Sequence, residues 1–147
     1  MSELLYLKDR QIKEFIEKLF IAYRESFADT KTTLDKHSLG IAHHRVIHLL
    51  SLYDGITISD LLKKLNVTKQ SLNRVIKDLI LNKYIFFEKD KKDTRLKHIY
   101  LSENGQKLFK EIFLIQKKRI YKAFINSSSK EVLYFDSVIK KIINEKI

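Results

Sequence analysis

The chain has no cysteine, no proline and no tryptophan, and only three glycines and one methionine in 147 residues. Without cysteine there is no disulfide, no zinc knuckle and no thiol-based redox switch. Without proline, and with Gly40, Gly55 and Gly105 each near an expected helix boundary, there is little room for irregular loops. That favours a mainly helical protein. No apolar run of about 18 residues occurs and no signal-peptide pattern opens the chain, so the expected location is the cytoplasm, with no membrane span. Also missing are a glycine-rich phosphate loop, an H-E-x-x-H pair and paired carboxylates in an apolar setting. The serines all fit as caps or turn residues. Neither an enzyme nor a resident cofactor or metal is expected.

What is present is an ordinary globular balance, 44% hydrophobic and 32% charged, enough for one domain with a real core. The net charge is +11, and its placement matters more than its size. Residues 1–56 hold 8 basic and 8 acidic groups, residues 57–101 hold 11 against 5, and residues 102–147 hold 10 against 5. The positive excess therefore starts at residue 57. A lysine-rich surface can serve solubility alone, but a polyanionic partner is the sharper reading.

Within that basic segment, Thr57-Ile58-Ser59-Asp60 resembles a capping box, and Leu61, Leu62 and Leu65 supply an apolar face. Asn66-Val67 interrupts the pattern. Thr68 then suits the N-cap of a second helix carrying Leu72, Val75, Ile76 and Leu79 at i, i+3, i+4 and i+7. Gln70, Asn73, Arg74 and Lys77 fall on the opposite face. A helix-turn-helix with that outward row suits reading of the DNA major groove. Tyr84–Lys89 and Leu96–Leu101 alternate as two strands around the polar turn Asp90-Lys91-Lys92-Asp93-Thr94-Arg95. Helix-turn-helix followed by a basic hairpin is a winged helix.

The run from Leu39 to Gly105 resembles the MarR family of winged-helix transcriptional regulators. Asp93-Thr94-Arg95 matches the family's wing-tip D-x-R. Leu101-Ser102-Glu103-Asn104-Gly105 matches the L-[TS]-x-x-G that closes the wing. His43-His44-Arg45 and Thr68-Lys69-Gln70-Ser71-Leu72 resemble a proteobacterial branch of it. The resemblance implies one MarR-like domain over 1–147, mainly α with a small β-hairpin wing. The DNA-binding winged helix-turn-helix spans 38–101, and dimerisation helices span 1–37 and 102–147. It implies a homodimeric, ligand-responsive regulator, more a repressor than an activator, on palindromic double-stranded operator DNA. The alternative is a winged-helix adaptor without sequence-specific DNA binding, whose outward helix face would be apolar or acidic.

The flanks read as helices too. Asp9 to about Ala28 carries Ile12, Phe15, Ile16, Leu19, Phe20, Tyr23 and Phe27, a wide apolar stripe. Thr30 to His37 reads as a polar linker. Ser38 reads as the cap of a helix from Leu39 to about Tyr53, facing inward mainly through Ala42, Val46, Leu49 and Tyr53, with Ile41, Ile47 and Leu52 widening that face nearly all round, so that it should pack on more than one side. Ser102 caps a long helix to about Asn126, and Ser128 with Glu131 form a capping box before the last helix. These stripes exceed what a winged helix of about 45 residues can cover. They either complete a monomer core or meet a twofold mate.

The residues expected to touch DNA are Lys69, Gln70, Ser71, Asn73, Arg74 and Lys77 on the recognition helix, and Lys91, Lys92, Asp93 and Arg95 on the wing. Gln70 and Asn73 suit adenine, Arg74 suits guanine or phosphate, and Lys69 and Ser71 suit phosphate. The resemblance implies that Arg95 enters the minor groove with its guanidinium oriented by Asp93. The competing readings are a solvated helix face and a surface ion pair of little energetic weight. His44 and His48, four residues apart, share a helix face. Three readings stay open for them: hydrogen-bonded interface histidines, the lining of a small-effector or pH-sensitive cleft, and two ligands of a metal site that lacks an evident third.

Overall fold

The computed structural model describes residues 4–144. After a short 3-10 turn at Leu5–Leu7 come α1 (Asp9–Ala28), α2 (Lys31–Lys36), α3 (Ile41–Leu52), β1 (Ile56–Thr57), α4 (Ile58–Leu65) and α5 (Lys69–Leu81). Then follow β2 (Ile85–Lys89), β3 (Lys97–Leu101), α6 (Glu103–Ile125) and α7 (Ser129–Asn144). The strands form one antiparallel sheet in the order β1-β3-β2, with Ile56 opposite Ile99 and Phe87 opposite Ile99 on the other side. This is a winged helix-turn-helix flanked by long helices. Among the described residues no helix is long and apolar enough to cross a membrane.

Caps set the helix boundaries. The Thr57 hydroxyl accepts the Asp60 N–H at the start of α4, and Thr68 accepts the Ser71 N–H at the start of α5. Asn66, in the left-handed region at φ 52°, closes α4 and turns the chain toward α5. Ser128 and Glu131 form the reciprocal pair that starts α7, each side chain accepting the other's backbone N–H. Leu61, Leu72, Leu79, Ile47, Leu50, Ile99 and Ile112 meet in the centre, fully buried. Each contributes about 1.5–3 kcal/mol by leaving water. The core therefore lies between α3, α4, α5, the sheet and the first half of α6.

Three local expectations fail. The segment Thr30–His37 is no linker, because Lys31–Lys36 forms the short helix α2. Its interior is built from Leu34 and two buried threonines, Thr30 and Thr33, and the Thr30 hydroxyl donates to the Phe27 carbonyl. A helix that buries threonine leaves no apolar period to read. Ser38 does not cap α3, since it stands in the left-handed region at φ 57° and the helix starts two residues later than Leu39. Gly40 takes the N-cap, its N–H donating to Nδ1 of His43. The inward face of α3 holds only in part. Val46, Ile47 and Leu49 are buried as expected, but Ile41, Ala42, Leu52 and Tyr53 are exposed, and His44 and Leu50 take their places in the core.

Outside the winged helix the helices keep their apolar faces open. No residue of α1 is buried, none of 129–143 in α7 is, and none of 113–126 at the far end of α6 is. Arg119 of α6 joins the two long flanks, donating two hydrogen bonds to the Asp29 carboxylate (2.6 and 3.0 Å) and one to Glu25 (3.0 Å).

Candidate nucleic-acid interface

On α5 the burial of Leu72, Val75, Ile76 and Leu79 against the core forces Lys69, Gln70, Ser71, Asn73, Arg74 and Lys77 outward, and all six are exposed. The helix starts free in space beyond the α4–α5 turn, with the Thr68 hydroxyl engaged by Ser71 at 2.8 Å. Ser71 accepts there, which leaves its own hydroxyl hydrogen available to an oxygen acceptor beside the positive end of the helix. Among the described residues no carboxylate lies within ion-pair distance of Lys69, Arg74 or Lys77. Their charges therefore act on whatever approaches.

The wing turn is folded around two aspartates. One oxygen of Asp90 accepts the backbone N–H groups of Lys92 and Asp93, both at 2.9 Å. Asp93 in turn accepts the Arg95 backbone N–H and two guanidinium N–H groups, Nε at 3.1 Å and the second nitrogen at 3.3 Å. The Arg95 guanidinium holds the Asp93 carboxyl below its usual pKa. Arg95 is nonetheless 89% exposed, so the pair orients the guanidinium at the tip without sequestering it. Lys91 and Lys92 flank it in solvent.

Two contacts at this interface had no sequence signal, because each joins residues far apart in the chain. His43 of α3 places Nε2 3.0 Å from Asp78 of α5. Since its Nδ1 accepts from Gly40, Nε2 carries the hydrogen and donates, tying α3 to the recognition helix. His98 of β3 lies between the Gly55 carbonyl (Nδ1, 2.7 Å) and the remaining Asp90 oxygen (Nε2, 2.8 Å). The backbone N–H of Asp93, then His98 and the N–H of Lys92, hold the Asp90 carboxyl down to about 2.

His44 and His48 sit on α3 behind this surface. His44 is 2% exposed, with its ring edge-on to Phe27 (5.9 Å) and to His48 (6.4 Å). A cavity of about 220 Å³ opens between Phe27, His44, Arg45, His48, Leu49 and Gln116. Among the described residues neither ring nitrogen of His44 nor Nε of Arg45 makes a well-formed hydrogen bond, though the Gln116 side chain acts on the His44 ring across the cavity. Burial, and then the neighbouring His48, push the His44 pKa down to about 4, and burial also lowers that of His48.

That depression has a measurable consequence. Above the ordinary value of 6.5 His44 is neutral folded and unfolded alike. As pH falls from there toward 4, only the unfolded chain takes up the proton, and folding stability drops. A shift of this size is worth roughly 3 kcal/mol at pH 4. Urea melts at fixed protein concentration are expected to show His44→Phe losing less stability than the unsubstituted protein between pH 7 and pH 4. Equal losses would show that His44 is not the acid-sensitive group.

The described geometry agrees with known proteins. The MarR family profile matches residues 37–96. The HTH-type transcriptional regulator PetP of Rhodobacter capsulatus is 37% identical over 141 residues, covering 96% of this chain and 85% of PetP. Staphylococcus aureus MarR in complex with salicylate and kanamycin superposes with a TM-score of 0.73 at 21% identity, covering 95% of this chain and 96% of that one. A S. aureus MepR variant bound to an oligodeoxyribonucleotide superposes with a TM-score of 0.61, again at 21% identity, over 88% and 95%. With a winged helix of this architecture and a relative at that identity over nearly its whole length, the chain belongs to the MarR family of transcriptional regulators and is not an enzyme.

Proposed function

We propose that this protein is a cytoplasmic homodimeric repressor that binds palindromic operator DNA and releases it when a small effector binds. Residues 38–101 are the DNA-binding part, and the helices within 1–37 and 102–147 are for dimerisation, residues 1–3 and 145–147 lying outside the described residues. The observation that carries the reading is the paired surface. Gln70, Asn73, Arg74 and Lys77 project from α5, and Arg95 projects from the wing on a bidentate contact to Asp93. Gln70 and Asn73 pair with adenine edges, Arg74 with guanine or phosphate, and Lys69 and Ser71 with phosphate. Arg95 reads the minor groove, and Lys91 and Lys92 follow the backbone. An adaptor would not need this row of hydrogen-bonding and cationic groups.

The dimer reading is supported by the open apolar faces of α1, α6 and α7. A twofold axis through them would set two recognition helices about 34 Å apart, one turn of DNA. Effector response is supported by the His44–His48 cavity, whose buried polar atoms make no well-formed hydrogen bonds. Replacing His44 and His48 together by Ala is expected to leave the dimer assembled and change how DNA binding answers to effector or pH.

Selection of bound fragments from genomic DNA supplies the operator for the test. Arg95→Ala is expected to weaken operator binding by about 1–3 kcal/mol, and Asn73→Ala to relax specificity at one position. Lys91→Ala or Lys92→Ala should weaken binding to every sequence and lower the salt slope by about one. Unchanged operator affinity in the Arg95→Ala, Asn73→Ala double variant would show that this surface does not read DNA.

A further inference from the structure

We propose that His98 and Asp90 are positioning residues of the wing, an imidazolium clasp that keeps the wing turn in the shape presenting Arg95. The inference rests on the reading of the wing as a DNA contact. Its core is the ring geometry. Gly55's carbonyl and the Asp90 carboxylate are both acceptors, and they lie 2.7 and 2.8 Å from the two ring nitrogens. Two acceptors need two N–H donors, so the ring that fits this slot is the cation. A neutral ring has one hydrogen, and its bare nitrogen would face a lone pair at one end.

The contacts run without a break to the tip. His98 holds one oxygen of Asp90, and the other oxygen holds the Lys92 and Asp93 amides. Asp93 holds Arg95. At the far end, Gly55 belongs to the turn between α3 and β1, and its N–H donates to the Ile99 carbonyl. The clasp therefore anchors the wing to the body of the winged helix.

The groups around the ring act in one direction. Glu88 stands opposite His98 in the β2–β3 pair and Asp90 lies two residues on, both acidic, while Lys89 between them pairs with Lys97. On β1 the opposite residue is the uncharged Thr57, and Tyr100 shares the outer face of β3. Lys97 lies on the other face, over the Phe87 ring. Hydrogen bonding to Asp90, then to Gly55, raises the His98 pKa above 6.5. A raised value means that the clasp is complete below 6.5 and is lost as pH rises through the higher folded-state value. Phosphates brought near the wing would favour the cation further.

The test uses the full-length protein. The His98 ring is titrated by NMR, and protection factors of the Lys92 and Asp93 amides are followed through the same pH range. Affinity for a 30-base-pair duplex recovered by genomic selection is measured alongside at constant ionic strength. The expected result is a His98 pKa above 6.5, amide protection that falls as the ring deprotonates, and affinity that declines by about fivefold across that titration. His98→Gln, which keeps N–H donors but does not titrate, should bind with a flat profile over the same range. Asp90→Asn should lower the His98 pKa, and Arg95→Ala should remove the part of the pH dependence that the wing carries. A His98 pKa at or below 6.5, or a His98→Gln profile as steep as the unsubstituted one, overturns the clasp. A raised pKa with protected amides but no duplex binding at any pH overturns the wing's role in DNA binding, which separates failure of the functional reading from failure of the clasp.

Discussion

Removing residues 1–28, or everything after Asn126, is expected to leave a monomer or an aggregate with collapsed DNA affinity. The reason lies in surface that one chain does not cover. Along α1, Phe15, Ile16, Leu19, Phe20 and Tyr23 are all at least 38% exposed, and α7 presents Leu133, Tyr134, Phe135, Val138 and Ile142 in the same way. The far half of α6 adds Phe113, Leu114, Ile120, Tyr121 and Phe124. A chain with a net charge of +11 gains solubility from repulsion, yet three of its helices carry exposed apolar stripes of the kind that mark an interface. In a twofold dimer both half-sites are bound at once. Losing one of two equal halves of a nanomolar complex costs about 6 kcal/mol, or roughly 10⁴ in affinity. Light scattering coupled to gel filtration, with a titration of the selected operator, decides the matter. A well-behaved truncated monomer at full affinity would remove the dimer from the proposed function.

The recognition helix was legible because its signals are local. Thr68 three residues before Ser71, apolar residues at i, i+3, i+4 and i+7, and polar groups between them all bear on one element, and they agree. The D-x-R and L-S-E-N-G segments were legible through the family resemblance, and their contacts are local as well: Asp93 accepts the Arg95 N–H, and Ser102 caps α6 by accepting the Gly105 N–H. The contacts that escaped join distant parts of the chain. His43 meets Asp78 35 residues on, and His98 meets the Gly55 carbonyl 43 residues back. No periodicity encodes such a meeting. The face of α3 was misread for a related reason. Ile41, Ala42, Ile47, Leu50 and Leu52 surround the helix with apolar groups, so pattern alone does not select the buried side. His44, a polar residue, takes a core position there.

Gly105→Ala is expected to cost on the order of 4 kcal/mol, a melting temperature lower by roughly 10 °C for a chain of this size. The position looks harmless in sequence, because it lies inside the first turn of α6, where alanine is ordinarily the better helix former. Its surroundings reverse that preference. A Cβ built on Gly105 would collide with the carbonyl oxygen of Tyr84, and it would also crowd the Leu101 side chain. That carbonyl has no freedom to withdraw. It accepts the Ser102 N–H at 2.9 Å, and Ser102 also donates its hydroxyl to the Lys83 carbonyl while accepting the Gly105 N–H. Lys83 is itself in the left-handed region at φ 61°. The added methyl must therefore break the knot joining the end of α5, the start of β2 and the start of α6. Ordinary overpacking, with flexible side chains yielding, costs about 1–3 kcal/mol, and a backbone oxygen yields less. Gly40→Ala is the matched control. Its Cβ would meet only His43 Nδ1, at an ordinary 3.8 Å, and its cost should stay near 1 kcal/mol, the loss of a glycine N-cap. Thermal melts of both variants at one protein concentration read the difference. A Gly105→Ala protein melting within a few degrees of Gly40→Ala would mean that the Tyr84 carbonyl moves freely and that this junction is softer than its hydrogen bonds imply.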